Sequence, residues 1–201
     1  MSAFRWYNSY VDFDKEVYRQ EKLEKQSFAG VNIQEITFDE CEFNSCTLNE
    51  SQFDRCRFIN CKFTGCDLSN LAPSKCEFRE VSFSGCKAIG IDWTKAVIVK
   101  DLEFSECMLN YSNFKMLKLQ KIKLVKCEVK EAAFIGTNLS NSDLRKSDFE
   151  KSMFFKTNLT GANFSGAKNY FIDINNNTLK KTRFSLPEAL SLLNNLDIII
   201  E

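Results

Sequence analysis

The residues with the most chemistry in this chain are nine cysteines: Cys41, Cys46, Cys56, Cys61, Cys66, Cys76, Cys86, Cys107 and Cys127. Thiolates ligate metals, act as nucleophiles or pair as disulfides, and each role has its own spacing. Here the spacings are multiples of five broken once by one extra residue, with no C-x-x-C pair of the zinc-site kind. The chain has 0 His, which removes His-based acid–base catalysis, Ser-His and Cys-His nucleophile pairs and His-ligated metals in one step. Neither GxxxxGK(S/T) nor GxGxxG occurs, so no loop is patterned to cradle phosphate. Carboxylates are plentiful, but no pair has a buried setting that would tune it for acid–base work. The expectation is a non-enzyme without cofactor or metal, whose reduced thiols place it in the cytoplasm.

The elements that position the cysteines follow a period of five. Phe or Leu recurs at Phe28, Phe38, Phe43, Leu48, Phe53, Phe58, Phe63 and Leu68, and after one inserted residue at Phe104, Leu109, Phe114, Leu119, Leu124 and onward to Phe184. All nine cysteines stand two residues before such a centre, and all seven glycines stand two after one. Residues two apart on an extended segment point the same way, so the centre and the small residue before it both face inward. The following pair must turn the chain, and glycine there suits a positive φ. If each corner turns through a right angle, four pentapeptides close a coil of about 20 residues, and coils stack ~4.8 Å apart. Cysteines on stacked coils then lie parallel, a poor disulfide geometry, and are expected as small apolar core fillers.

Cys61-Lys62-Phe63-Thr64-Gly65 and Ala162-Asn163-Phe164-Ser165-Gly166 show the pattern most plainly. In them the chain resembles the pentapeptide repeat family, and the resemblance implies an all-β solenoid, a right-handed quadrilateral β-helix of about eight coils. The expected organisation is an irregular cap at 1–27, the β-helix at 28–184 and a C-terminal helix with a short strand at 185–201. Pro73 falls in a centre slot, with Trp93 one coil above it as a size-compensating partner. A one-residue bulge is expected near Val99–Glu103.

Ser185-Leu186-Pro187-Glu188 fits a capping box, followed by leucines at helical spacing. Leu186, Leu190, Leu193, Leu196, Ile198, Ile199 and Ile200 are the candidate interface of a homodimer through the C-terminus, a reading suggested by the dimers of some quinolone-resistance relatives. Within the family the chain looks most like the bacterial quinolone-resistance and microcin-immunity proteins. That likeness implies a DNA-mimic rod that binds DNA gyrase or topoisomerase IV and protects it from quinolones or a toxin. The alternative is a general protein-interaction scaffold.

Net charge is zero, from 27 basic and 27 acidic residues. Its distribution is uneven, with an acidic collar at Glu35, Asp39, Glu40, Glu42, Glu50 and Asp54 and a basic ring from Lys115 to Lys130. The collar, with the outward aromatics Tyr111 and Phe155, is the candidate partner surface. Tyr170 and Phe171 also fall outward and are expected to pack under the C-terminal helix. The ring lacks the interleaved aromatics and strong net basicity of a nucleic-acid binder, so direct nucleic-acid binding is not expected. No apolar run is long enough to span a bilayer, so no membrane is expected.

Overall fold

The computed structural model describes residues 15–196 and residue 198. Three-residue strands alternate with tight corners, and each strand pairs in parallel with the strand one coil away. The result is a right-handed parallel β-solenoid closed by a C-terminal 3-10 helix, Glu188–Asn195.

Four ladders run along it. In the first, Tyr18, Phe38, Phe58, Phe78 and Val99 stand in register. The second aligns Leu23, Phe43, Phe63, Phe83, Phe104 and Leu124. The third passes through the bridges Ser27–Thr47–Asp67–Lys87–Met108–Glu128–Asp148–Lys168, around Leu48. The fourth holds Ile33, Phe53 and Pro73. It continues through the bridges Asp92–Asn113–Ala133–Met153.

Inward residues of all four ladders form one core. Its spine is stacked phenylalanine: Phe43, Phe63, Phe83 and Phe104 lie 4.5, 5.0 and 4.6 Å apart at near-parallel angles. Trp93 follows Pro73 in the fourth ladder and stacks on Phe114 at 6.1 Å, so the bulky ring sits above the small one as expected. The corners are left-handed, but glycine is not required at them. Gly65 has φ +60°, and so, within about ten degrees, do Met116, Lys126 and more than twenty other non-glycine residues.

Four expectations shift. Regular pairing is already in place at Val17–Arg19 and Lys22–Glu24, ahead of residue 28, because Tyr18 and Leu23 supply buried centres there. The inserted residue lies earlier than Val99–Glu103. Phe78 pairs with Val99, so the extra residue is absorbed after Trp93, where Trp93–Lys95 forms a single 3-10 turn capped by Asp92. Near the C-terminus, Phe154 pairs with Ile172 where the five-residue period would put the next centre at residue 174, so the chain is two residues short on that side. That puts Tyr170 in an inward slot, where it is buried against Phe164 and Phe184, while Phe171 stays exposed.

The capping box does not form: Pro187 takes the cap position without a side-chain bond. Ser185 Oγ accepts instead from Gly166 N–H at 2.8 Å, and Glu188 Oε1 from Asn169 N–H at 2.6 Å. Both side chains thus close free amides of the preceding coil. Of the expected strand at 197–200 only Ile198 is described; Asp197, Ile199 and Ile200 lie outside the described residues, as do residues 1–14 of the expected N-terminal cap.

Candidate functional site

The cysteine slot does more than fill space. All nine cysteines are buried and free. Along the corner before the third ladder, Cys46 N–H donates to Cys66 Sγ, Cys66 N–H to Cys86 Sγ, and Cys86 N–H to Cys107 Sγ, each at 3.4 Å. Each thiol in turn donates to a carbonyl oxygen of the adjacent coil, as Cys66 does to Phe43 O at 3.3 Å. Hydroxyls continue the pattern: Cys127 N–H donates to Ser147 Oγ at 2.9 Å, and Ser147 Oγ to Leu124 O at 2.7 Å. Asn177 repeats it with an amide, accepting from Thr157 N–H and donating to Phe154 O. An amide that no strand partner reaches is satisfied by whichever donor–acceptor side chain lies one coil on. The expectation of inert filler is corrected to this extent. The signal was present in the slot's alternation of Cys, Ser and Thr, which share a donor–acceptor head.

Hydrogen bonding from Cys107 and burial push the Cys86 thiol up to about 12. Bonding from Cys127 with burial does the same at Cys107, also about 12. Such thiols stay protonated at neutral pH and are poor nucleophiles. Among the described residues, no group of three or more His, Cys, Asp or Glu is placed to hold a metal ion. Nor is any described helix long and apolar enough to cross a membrane.

The acidic collar is largely neutralised from neighbouring coils. Glu42 lies between Lys22 at 3.0 Å and Lys62 at 3.9 Å, Asp39 faces Arg19 at 3.5 Å, and Arg55 contacts both Glu35 and Asp54. Glu40 accepts from Gln20, and Glu50 is exposed at a left-handed corner. The basic ring is half paired. Lys123 meets Glu103, Lys126 meets Glu106, and Lys130 meets Asp148 and Glu150. Lys115, Lys118 and Lys121 are exposed with no ion pair among the described residues. Asp148 is buried, which opposes ionisation, yet bonds from Asn169 and the Glu150 amide with Lys130 and Lys168 hold its carboxyl below the usual range.

Tyr111 and Phe155 are exposed, as expected, but stand in the C-terminal half, several coils from the collar; the structure does not bring the two groups together. Of the C-terminal candidates, Leu186, Leu190, Leu196 and Ile198 are exposed and Leu193 is half-buried. Leu192, which the sequence reading missed, packs against the core and anchors the helix.

The chain belongs to the pentapeptide repeat family. A model of the pentapeptide repeat region matches residues 36–114, and one of pentapeptide repeats (8 copies) matches residues 132–168, together more than half of the chain. Proteins of this family are non-catalytic solenoids, and this chain is one of them. It is similar to the quinolone resistance pentapeptide repeat protein QnrB96 of Scandinavium goeteborgense, 23% identical over 139 residues. That match takes in 59% of this chain and 65% of QnrB96, just under two thirds of its length. Two trypsin-treated forms of QnrB1, a plasmid-mediated fluoroquinolone resistance protein, superpose with TM-scores of 0.62 and 0.59 at 23% and 21% identity. Both superpositions cover 92% of this chain and at least 97% of the other, which establishes a common fold.

Proposed function

We propose that the chain is a non-enzymatic protein-binding rod, a four-sided β-helix of about eight coils, whose partner is DNA gyrase or topoisomerase IV. In this reading it acts in the cytoplasm as a homodimer joined at the C-terminus, and it shields the topoisomerase from a quinolone or a toxin by copying the outline of DNA. The supporting observation is the solenoid shared with QnrB1 over nearly the full length of both chains. A gyrase supercoiling assay with and without ciprofloxacin tests it. Inhibition by micromolar protein, or recovery of supercoiling in the presence of drug, is the expected result. No effect on either gyrase or topoisomerase IV at that concentration would remove the topoisomerase from the proposal.

A second reading, a scaffold for another protein, is favoured by one observation. A DNA mimic needs unpaired negative charge, and four of the six collar carboxylates are ion-paired to Arg or Lys.

A further inference from the structure

The fourth ladder changes character along the rod. Its outward positions in the N-terminal half are Asn32, Gln34, Gln52, Asp54, Ala72 and Ser74. Farther along, past Asn113 and Lys115, the same columns carry the large apolar residues Ile135, Met153, Phe155 and Phe171. Ala133 pairs with Met153, and the Phe154–Ile172 bridge sets Phe171 beside Met153. Gly136 N–H donates to Phe155 O, which sets Phe155 one coil beyond Ile135. Met116 lies over Gly136, its sulfur filling the space a Cβ there would need, and so borders the same face. Met116 is 76% exposed, Phe171 56%, Met153 48% and Phe155 43%. A run of wet apolar residues on one flat face is uncommon on a monomer and marks a contact site.

The composition and the rim suggest what covers it. Met and aromatic residues are enriched in the cores of protein–protein interfaces. Lys115, Lys151 and Lys156 stand around the patch, exposed and without ion pairs among the described residues, and Lys156 Nζ lies 5.4 Å from the Phe155 ring centre. Two carboxylates stand here: Glu131 on the rim, and Asp173, which the Phe154–Ile172 bridge sets beside Phe155 and whose oxygens accept from Asn175 N–H and the Asn176 side-chain amide. Lys115, Lys151 and Lys156 outnumber Glu131 and Asp173, so a two-fold pairing of this face with itself would bring net positive charge together, which disfavours a second copy. The two outward columns lie ~7 Å apart and step ~4.8 Å per coil, a shallow bed as wide as a helix stripe.

We propose that this face docks an acidic amphipathic helix of a partner protein, whose apolar stripe lies on Met153, Phe155 and Phe171 and whose flanking carboxylates meet Lys115, Lys151 and Lys156. The proposal rests on the reading of the chain as a protein-binding rod, but it does not require that the partner be a topoisomerase.

The probe is a synthetic peptide of about 18 residues with leucines at helical spacing between glutamates, followed by fluorescence anisotropy. Micromolar binding is expected. It should weaken about tenfold or more in Met153→Ser/Phe155→Ser, and similarly in Lys151→Glu/Lys156→Glu, with both variants melting like the parent. No binding, equal binding of a lysine-for-glutamate twin, or binding indifferent to both variants would overturn it. So would preferential binding of phosphatidylglycerol vesicles or duplex DNA, or loss of self-association in the serine variant. If the serine variant still acts on gyrase but no longer binds the peptide, the topoisomerase reading stands separately. If peptide binding holds while gyrase is unaffected by the parent, that reading alone falls.

Discussion

The thiol of Cys66 accepts the amide hydrogen of Cys46 at 3.4 Å and donates its own to the carbonyl of Phe43 at 3.3 Å, tying one coil to the next through a side chain. Replacing Cys66 by Ser keeps both a donor and an acceptor in place and should change stability little. Cys66→Ala leaves the Cys46 amide and the Phe43 carbonyl short of a partner in the core, at about 1–3 kcal/mol. Urea melts of the two variants check this. Equal midpoints would return the slot to simple space filling.

Phe63 sits in the middle of the spine, 4.5 Å from Phe43 and 5.0 Å from Phe83 between ring centres. Phe63→Ala opens a cavity that the stacked backbone cannot close, because the strands on either side are fixed by their ladder bonds. The expected loss is about 3–5 kcal/mol in a denaturant melt. Cys66→Ala is expected to fall clearly below it.

How legible these features were depends on the direction of reading. The five-residue period was plain because every inward position repeats it, and it led to the ladders and the phenylalanine spine. The sequence leaves the place of the phase shift open because Ile98 and Val99 are adjacent and both apolar, so either suits a centre; only the pairing of Val99 with Phe78 decides. Tyr170 reads as an outward residue in the sequence because a two-residue shortfall has no residue type to mark it. The neutralisation of the collar is not legible in the sequence for a simpler reason. Glu42 meets Lys22 and Lys62 one coil to either side, a relation hidden in local charge counts and visible only when positions are compared down a column.

The raised thiols give a pH dependence whose sign follows from which state holds the proton more tightly. Cys86 and Cys107 titrate at about 12 in the folded chain, against about 8.5 for an unfolded cysteine. The folded state retains these protons, so their contribution is complete below the unfolded value and is lost as pH climbs toward the folded one. Unfolding free energy should therefore fall through the alkaline range. It should fall less steeply in Cys86→Ser/Cys107→Ser, as urea melts at several pH values would show. Iodoacetamide at mildly alkaline pH should label these thiols no faster than the protein unfolds.

At the C-terminal end, Ser185 and Glu188 hold the amides of Gly166 and Asn169 at 2.8 and 2.6 Å. These groups are near solvent, so Ser185→Ala/Glu188→Ala should cost only about 1 kcal/mol. The sharper readout is hydrogen exchange. The amides of residues 166 and 169 should exchange markedly faster in the variant, with the inner ladders unchanged. If exchange at those two amides does not move, the helix is not held by these bonds.

Beyond that cap the surface turns apolar: Leu186 is 76% exposed, Ile198 53% and Leu190 51%. Water against such side chains is unfavourable by about 25 cal/mol per Å². A two-fold, tail-to-tail pairing would cover them together with the last open strand edges. The same pairing brings the exposed Lys168, Lys180, Lys181 and Arg183 of two copies toward each other. That repulsion is screened by salt, so the dimer should tighten as ionic strength rises, opposite to an association driven by ion pairs. Light scattering at tens of micromolar should find a dimer, and Leu186→Asp/Leu190→Asp should make it monomeric with a folded-state circular dichroism spectrum like the parent's and a melting temperature that no longer depends on protein concentration. A full-length chain that stays monomeric at both low and high salt would exclude the C-terminal dimer, and with it any docking model that needs two rods in line.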